Sequence, residues 1–159
     1  MALKVELKPG ERMILGKSVI TNGDQRTRLK IDGDSPILRE KDIITAEQAD
    51  TCAKRVYLTV QLMYFSDTPS IYHDMYFALI KDIIKAAPST LLIINEINDN
   101  ILGGELYRAL KACKQLIEYE KELLKNVFSG DEGLRSSESE NTHRAGARSQ
   151  RTDESSDAA

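Results

Sequence analysis

The sequence predicts an α+β protein: a small N-terminal antiparallel β-sheet, a bundle of three or four α-helices, and a disordered C-terminal tail. Three observations predict it. Apolar residues alternate with charged ones through residues 1–44, recur at helical spacing through 45–128, and become scarce in 129–159. The chain has 159 residues, 41% hydrophobic and 30% charged, which is enough for one compact domain with an appendage.

Residues 1–44 read as a small β domain. Leu3, Val5 and Leu7 alternate with Lys4, Glu6 and Lys8, the period of a half-buried strand. Pro9-Gly10 is a turn signal, and Met13 to Leu15 is broken by Gly16. Val19 and Ile20 form a third run, stopped by Asn22-Gly23, a two-residue hairpin signal. Thr27, Leu29 and Ile31 alternate with Arg26, Arg28 and Lys30. Gly33 to Pro36 turns the chain, and the pairs Ile37-Leu38 and Ile43-Ile44 end the region. So short a segment buries too little apolar surface alone. It must pack on the helices, on another copy of itself, or on both, so a homodimer is expected.

Residues 45–128 read as a helical domain. Thr45 with Gln48 three residues on forms a capping box. Val56, Val60, Met63 and Tyr64 follow at helical spacing, with Tyr57, Leu58, Gln61 and Leu62 beside them. Asp67-Thr68-Pro69-Ser70 ends this helix and caps a second, over 71–87, with Met75, Leu79, Ile83 and Ala86 on one stripe. Pro88 stops it. A third helix over 91–102 is stopped by Gly103-Gly104, and the longest runs over 105–128 with Leu106, Leu110, Cys113, Ile117 and Leu124 in one row. Residues 129–159 are rich in Ser, Asp, Glu and Arg, with one Leu and no aromatic residue, too little apolar surface to offset the entropy of ordering.

Several function classes are excluded. The aliphatic run Leu91 to Ile94 is far short of a membrane span, and Met1 to Lys8 has no apolar stretch of a secretory signal. Two cysteines, Cys52 and Cys113, suit a reducing, cytoplasmic compartment and small core positions. The net charge is −3, and the tail accounts for all of it with seven acidic residues and four arginines. Residues 1–128 are therefore neutral, so bulk attraction to nucleic acid is not the main activity, though a local basic site remains open. The catalytic inventory is empty. His143 lies in the tail, and His73 stands alone on a helix beside the solvated carboxylates Asp74 and Asp82. There is no Cys-x-x-Cys, no His-x-x-x-His and no glycine-rich phosphate loop, so neither metal, cofactor nor enzymatic activity is expected.

The informative feature is the cationic sheet. Arg26, Arg28 and Lys30 alternate and share one strand face, with Lys4 and Arg39 on neighbouring strands. Such a stripe can follow a phosphate backbone, and an arginine can also read or stack on an exposed base. It can equally be a solvated face paired with Glu6, Glu11, Asp32 and Glu40. The aromatic cluster Tyr57, Tyr64, Phe65, Tyr72, Tyr76 and Phe77 likewise has two readings, a core or an exposed docking patch.

The order Leu7-Lys-Pro-Gly-Glu-Arg-Met-Ile-Leu-Gly-Lys-Ser-Val-Ile-Thr-Asn22 resembles the start of the FlbT family of flagellin regulators. The resemblance continues through Asp24 to Leu29, Pro36 to Ile43, Ala53 to Leu58, Gln61 to Tyr64, Tyr76 to Leu79 and Leu106 to Lys111, and so covers roughly residues 1–128. It implies a cytoplasmic post-transcriptional regulator, mainly a repressor of flagellum biogenesis. Such a protein associates with the 5′ untranslated leader of flagellin mRNA and promotes its degradation, without catalysis of its own. The alternative is a protein-interaction module, a flagellin chaperone or a partner of the small flagellar regulator FlaF. Residues 3–44 also resemble the carbon storage regulator CsrA, through Gly10-Glu11, Ile14-Leu15-Gly16, Pro36, Arg39 and Ile43. By position, that resemblance puts Lys4 and Val5 on an RNA-binding first strand and matches Arg39 to the RNA-binding arginine. The RNA-binding residues expected are thus Lys4, Val5, Arg26, Arg28, Lys30 and Arg39.

Overall fold

The fold is that of a computed structural model, which describes residues 2–144, with side chains through Gly130. Among the described residues, 2–119 form one compact unit and the part of the chain from Glu120 on falls outside it. Five strands come first: β1 (Ala2–Leu7), β2 (Arg12–Leu15), β3 (Ser18–Thr21), β4 (Thr27–Asp32) and β5 (Ile37–Arg39). Four helices follow: α1 (Cys52–Phe65), α2 (His73–Ala86), α3 (Leu91–Leu102) and α4 (Leu106–Arg144). The expected order of antiparallel strands, then helices, is what the chain adopts.

The strands form two antiparallel sheets. β1 pairs with β4, with Val5 opposite Leu29 and Lys4 opposite Lys30. β2 lies between β3 and β5. The hairpin tip is therefore Gly16-Lys17, not Asn22-Gly23, and β4 does not pair with β3. The tip needs a residue at positive φ, and Gly16 supplies φ 59° without the clash a Cβ would bring. Asn22 acts as a tie instead: its amide donates to the carbonyls of Leu7 and Lys8 at 3.0 and 2.8 Å, and to that of Gln25. An Asn-Gly pair suits a hairpin only where the flanking strands have each other as partners. Here β1 claims β4.

Val5, Leu7 and Met13 make a small buried cluster under the strands, flanked by Ile20, Leu29, Ile31 and Ile37. The helices enclose a much larger one, with Val56, Val60 and Met63 of α1, Tyr76 and Ile80 of α2, Ile94 and Ile97 of α3, and Leu110, Cys113 and Leu116 of α4. Leu38 of β5 belongs to the helical cluster, so the sheet does pack on the helices. Most of the aromatic cluster is core: Tyr57 and Tyr76 are buried, Tyr64, Phe65 and Tyr72 pack against them, and Phe77 is exposed. Cys113 is buried as expected, but Cys52 is exposed, because it occupies the first turn of α1 on the side away from the core.

Helix α1 starts later than the capping box suggests. Thr45 and Gln48 do bond reciprocally, Thr45 N–H to Gln48 Oε1 at 3.0 Å and Gln48 N–H to Thr45 Oγ1 at 3.4 Å. They close only a single turn. The working N-cap is Thr51, whose hydroxyl accepts from Lys54 N–H. Pro69–Tyr72 is a 3-10 turn before α2. Helix α4 runs to Arg144, past the Phe128 end set by the apolar pattern, since no proline interrupts it. The remainder of the expected tail, 145–159, lies outside the described residues. Among the described residues no helix is long and apolar enough to cross a membrane.

Candidate nucleic-acid interface

The outer face of β1–β4 is built by strand alternation. Val5 and Leu7 of β1 point inward, with Thr27, Leu29 and Ile31 across from them in β4 half-buried. Lys4, Arg28, Lys30 and Asp32 lie on the opposite, exposed face, with the half-buried Glu6 among them. Register sets who meets whom. Glu6 is opposite Arg28, while Lys4 is opposite Lys30, a like-charge pair that costs stability unless something neutralises it. Arg26, just before β4, reaches Glu6 at 2.8 Å, and Arg28 lies 3.6 Å from the same carboxylate. These guanidiniums, Arg26 foremost by its hydrogen bond, hold the Glu6 carboxyl below its usual range. Lys30 lies 3.6 Å from Asp32. Lys4 has no ion-pair partner among the described residues.

The six expected residues therefore divide. Lys4, Arg26, Arg28 and Lys30 come together on one exposed face. Val5 is 8% exposed, and its side chain packs with Leu7 and Met13, so that only its backbone is within reach of a ligand. Arg39 belongs to the seam between the two sheets. Its Nε and Nη2 donate to Glu11 Oε1 at 3.1 and 2.7 Å, and Nη2 also donates to the Glu6 carbonyl at 2.9 Å. Glu11 accepts a further bond from Lys8 N–H at 2.9 Å. That backbone bond first, and then Arg39, keep its carboxyl below the usual range. Glu40 is clamped in the same manner by Arg12 and is lowered too.

Helix α1 secures the seam from the other side. Tyr57, Gln61 and Tyr64 stand at i, i+4 and i+7, one row of the helix. The Tyr64 hydroxyl accepts from Ile37 N–H at 3.0 Å and donates to the Ile37 carbonyl at 3.1 Å. The Gln61 amide accepts from Ile44 N–H at 2.9 Å and donates to the Ile44 carbonyl at 3.0 Å. Tyr57 donates to the Asp42 carbonyl, and Lys114 pairs with the Asp42 carboxylate. Burial pushes the hydroxyls of Tyr57 and Tyr64 up in pKa.

A groove of about 570 Å³ opens beside this seam, lined by Leu3 and Lys4 of β1, Ile37 and Arg39 of β5, Tyr64 of α1 and Tyr107 of α4. Its size falls within the roughly 300–1,000 Å³ of small-ligand sites. Tyr107 is 46% exposed, 6.2 Å from the Tyr64 ring, with Lys111 Nζ 4.9 Å from its centroid. The residue patterns did not single out Tyr107. The available signal was an aromatic residue next to, rather than on, the apolar row of α4. Among the described residues no three His, Cys, Asp or Glu gather as metal ligands.

The fold and this face define an α+β protein whose strand pair β1–β4 presents a charged outer surface, with a groove lined by strands and helices beside it. The chain belongs to the FlbT family of flagellar proteins, whose family model matches residues 3–124. The probable flagellum biosynthesis repressor protein FlbT 1 of Bradyrhizobium diazoefficiens is 62% identical over 124 residues, 77% of this chain and 85% of that protein. The probable flagellum biosynthesis repressor of Rhodopseudomonas palustris is 53% identical over 124 residues, 78% of this chain and 98% of its own length. The flagellum biosynthesis repressor protein of Caulobacter vibrioides is 32% identical over 133 residues, 82% of this chain and 94% of that protein. No solved structure matches the chain.

Proposed function

We propose that this chain represses flagellum biogenesis in the cytoplasm by associating with the 5′ untranslated leader of flagellin mRNA and promoting its degradation. The names of its relatives support repression. One observation supports RNA: Lys4 and Lys30 face each other on an exposed strand pair flanked by Arg28 and Arg26, and a polyanion relieves that repulsion. In this reading the chain carries no catalysis. It occupies the leader and alters the access of ribosome and nuclease, with a homodimer doubling the face.

The test is binding of the full chain to a labelled flagellin leader across a salt series, beside an unrelated leader. Tight binding to the cognate leader is expected. An Arg26, Arg28, Lys30 to Ala variant should lower the salt slope by about two to three. Equal affinity for the two leaders, or an unchanged slope, counts against the reading.

A second reading is a protein-interaction module for flagellin or FlaF. The observation in its favour is the exposed apolar set on and just before α2: Ile71 at 66%, Met75 at 55% and Phe77 at 52%. A flagellin pull-down that survives nuclease treatment and fails for Met75→Asp would support it.

A further inference from the structure

We infer that the groove beside the seam takes one unstacked nucleobase of single-stranded RNA, with Tyr107 as its stacking platform. This rests on the RNA reading above and names where a base, as opposed to a phosphate, would sit. Charge decides between the two. Glu6, Asp34 and Asp42 are among the residues that line the groove, as are Lys4 and Arg39. Arg39 is engaged by Glu11, Glu6 by Arg26 and Asp42 by Lys114. What remains without an ion pair among the described residues is Lys4 and Asp34, a balanced pair. A phosphate entering here gains little from Lys4 that Asp34 does not take back. A neutral, planar ligand with hydrogen-bond donors suffers no such penalty.

The walls fit that ligand. Leu3, 47% exposed, and Ile37 offer apolar contact, and the half-exposed Tyr107 ring offers a π-face. Rings of this kind hold bases of any sequence by stacking. The Asp34 carboxylate can accept from an exocyclic amine or a ring N–H. Lys4 belongs both to the groove and to the cationic outer face, so a strand whose base enters the groove has its phosphates beside Lys4, Arg28 and Lys30. Lys111 Nζ lies 4.9 Å from the Tyr107 ring centroid, a cation on the ring that forms the platform.

The test uses the full chain, a labelled flagellin leader and anisotropy at several salt concentrations. Tyr107→Ala should weaken binding about tenfold, within the range alanine substitution of a stacking ring gives, with the salt slope unchanged. Tyr107→Phe should stay within about twofold, since the ring is kept. A leader carrying 2-aminopurine in its unpaired loop should be quenched by the wild-type chain and not by Tyr107→Ala. Thermal unfolding of each variant checks that the fold is intact. Wild-type affinity in a folded Tyr107→Ala variant overturns this inference and leaves the RNA reading standing. A loss from Tyr107→Phe as large as from Tyr107→Ala also overturns it, because the hydroxyl, not the ring, would be the contact. A wild-type chain that binds no leader overturns the RNA reading and this inference together.

Discussion

The helical part and the sheet of residues 1–119 are held together by different means. Among the described residues sixteen buried side chains, Leu38 of β5 with them, make the helical core, and hydrocarbon packing dominates it. The cluster under the strands has, among the described residues, only Val5, Leu7 and Met13, since Leu38 of β5 joins the helical core. The strands compensate with polar clamps: Arg39 on Glu11 and the Glu6 carbonyl, Arg12 on Glu40, and Asn22 on the Leu7 and Lys8 carbonyls. The seam lies between these regimes, where Gln61 and Tyr64 of α1 satisfy the open backbone edge of β5 and the segment after it. The difference shows that charge on this sheet has two kinds of work. Arg26, Arg28 and Lys30 are exposed and removable. Arg39 is half-buried and holds two strands that do not pair with each other. Loss of RNA binding in Arg39→Ala would therefore mix a lost contact with a loosened sheet, while the Arg26, Arg28 and Lys30 variant separates them.

The largest effect expected from this contrast is in the helical core. Leu110→Ala should cost about 2–5 kcal/mol, because the site is 2% exposed and enclosed by four helices that relax little. Urea unfolding followed by far-ultraviolet circular dichroism checks it, and the helical signal should be lost in one transition. Leu7→Ala, in the three-residue cluster, should instead open the strands first, seen as faster amide exchange in β1 and β4 with helical amides protected. One global transition for both variants would mean that the clamps couple sheet and helices more tightly than the packing indicates.

An intermediate effect is expected at the seam. Gln61→Leu keeps the volume of a side chain only 8% exposed but leaves the Ile44 N–H and carbonyl without partners. Stranding a fully buried polar group costs about 1–3 kcal/mol, and for the half-buried Ile44 groups the low end, about 1 kcal/mol, is expected. A lower midpoint with faster exchange at Ile44 is the expected outcome, and a stabilised protein would break the argument that polar tips join α1 to the sheet.

How far the sequence could be read follows the same division. Periodicity reports burial, so the alternation of β1 and β4 and the stripes of α1 to α4 were legible, and α3 was placed at both ends by Pro88 and Gly103-Gly104. Pairing was not legible. Nothing local in Asn22-Gly23 says that β1 will take β4, since that choice is made by Leu29 and Ile31 packing with Val5 and Leu7 over a long sequence separation. Val5 shows the same limit. Position along a resembling strand suggested RNA contact, whereas its inward phase, set by Leu3, Val5 and Leu7, pointed to the core. The groove was invisible because Lys4, Arg39, Tyr64 and Tyr107 meet only in space.

The smallest effect, and the one that separates the two regions most directly, is their response to pH. Glu6, Glu11 and Glu40 all have carboxyl pKa values held below the usual 4.5 by their hydrogen-bond partners. A depressed folded pKa contributes stability that is fully present above the unfolded value and is lost as pH falls through the folded one. The sheet should therefore be unaffected between pH 7 and 5 and loosen below about pH 4.5, modestly for Glu6 and Glu40, whose side chains stay partly solvated, and more at the largely covered Glu11. The helical core has the opposite sign. Burial raises the pKa of Tyr57, Tyr76 and Cys113, so their neutral forms stabilise the fold below the unfolded values, 10.0 for tyrosine and 9.0 for cysteine, and that contribution fades as pH rises beyond them. Amide exchange across a pH series should then show acid lability in β1, β2 and β5, and at the first turn of α1 where Lys54 holds the Asp50 carboxyl low, and alkaline lability in the body of α1, α2 and α4. Acid lability in the helices ahead of the strands would mean that the clamps on Glu6, Glu11 and Glu40 contribute nothing, and that the small hydrophobic cluster holds the sheet by itself.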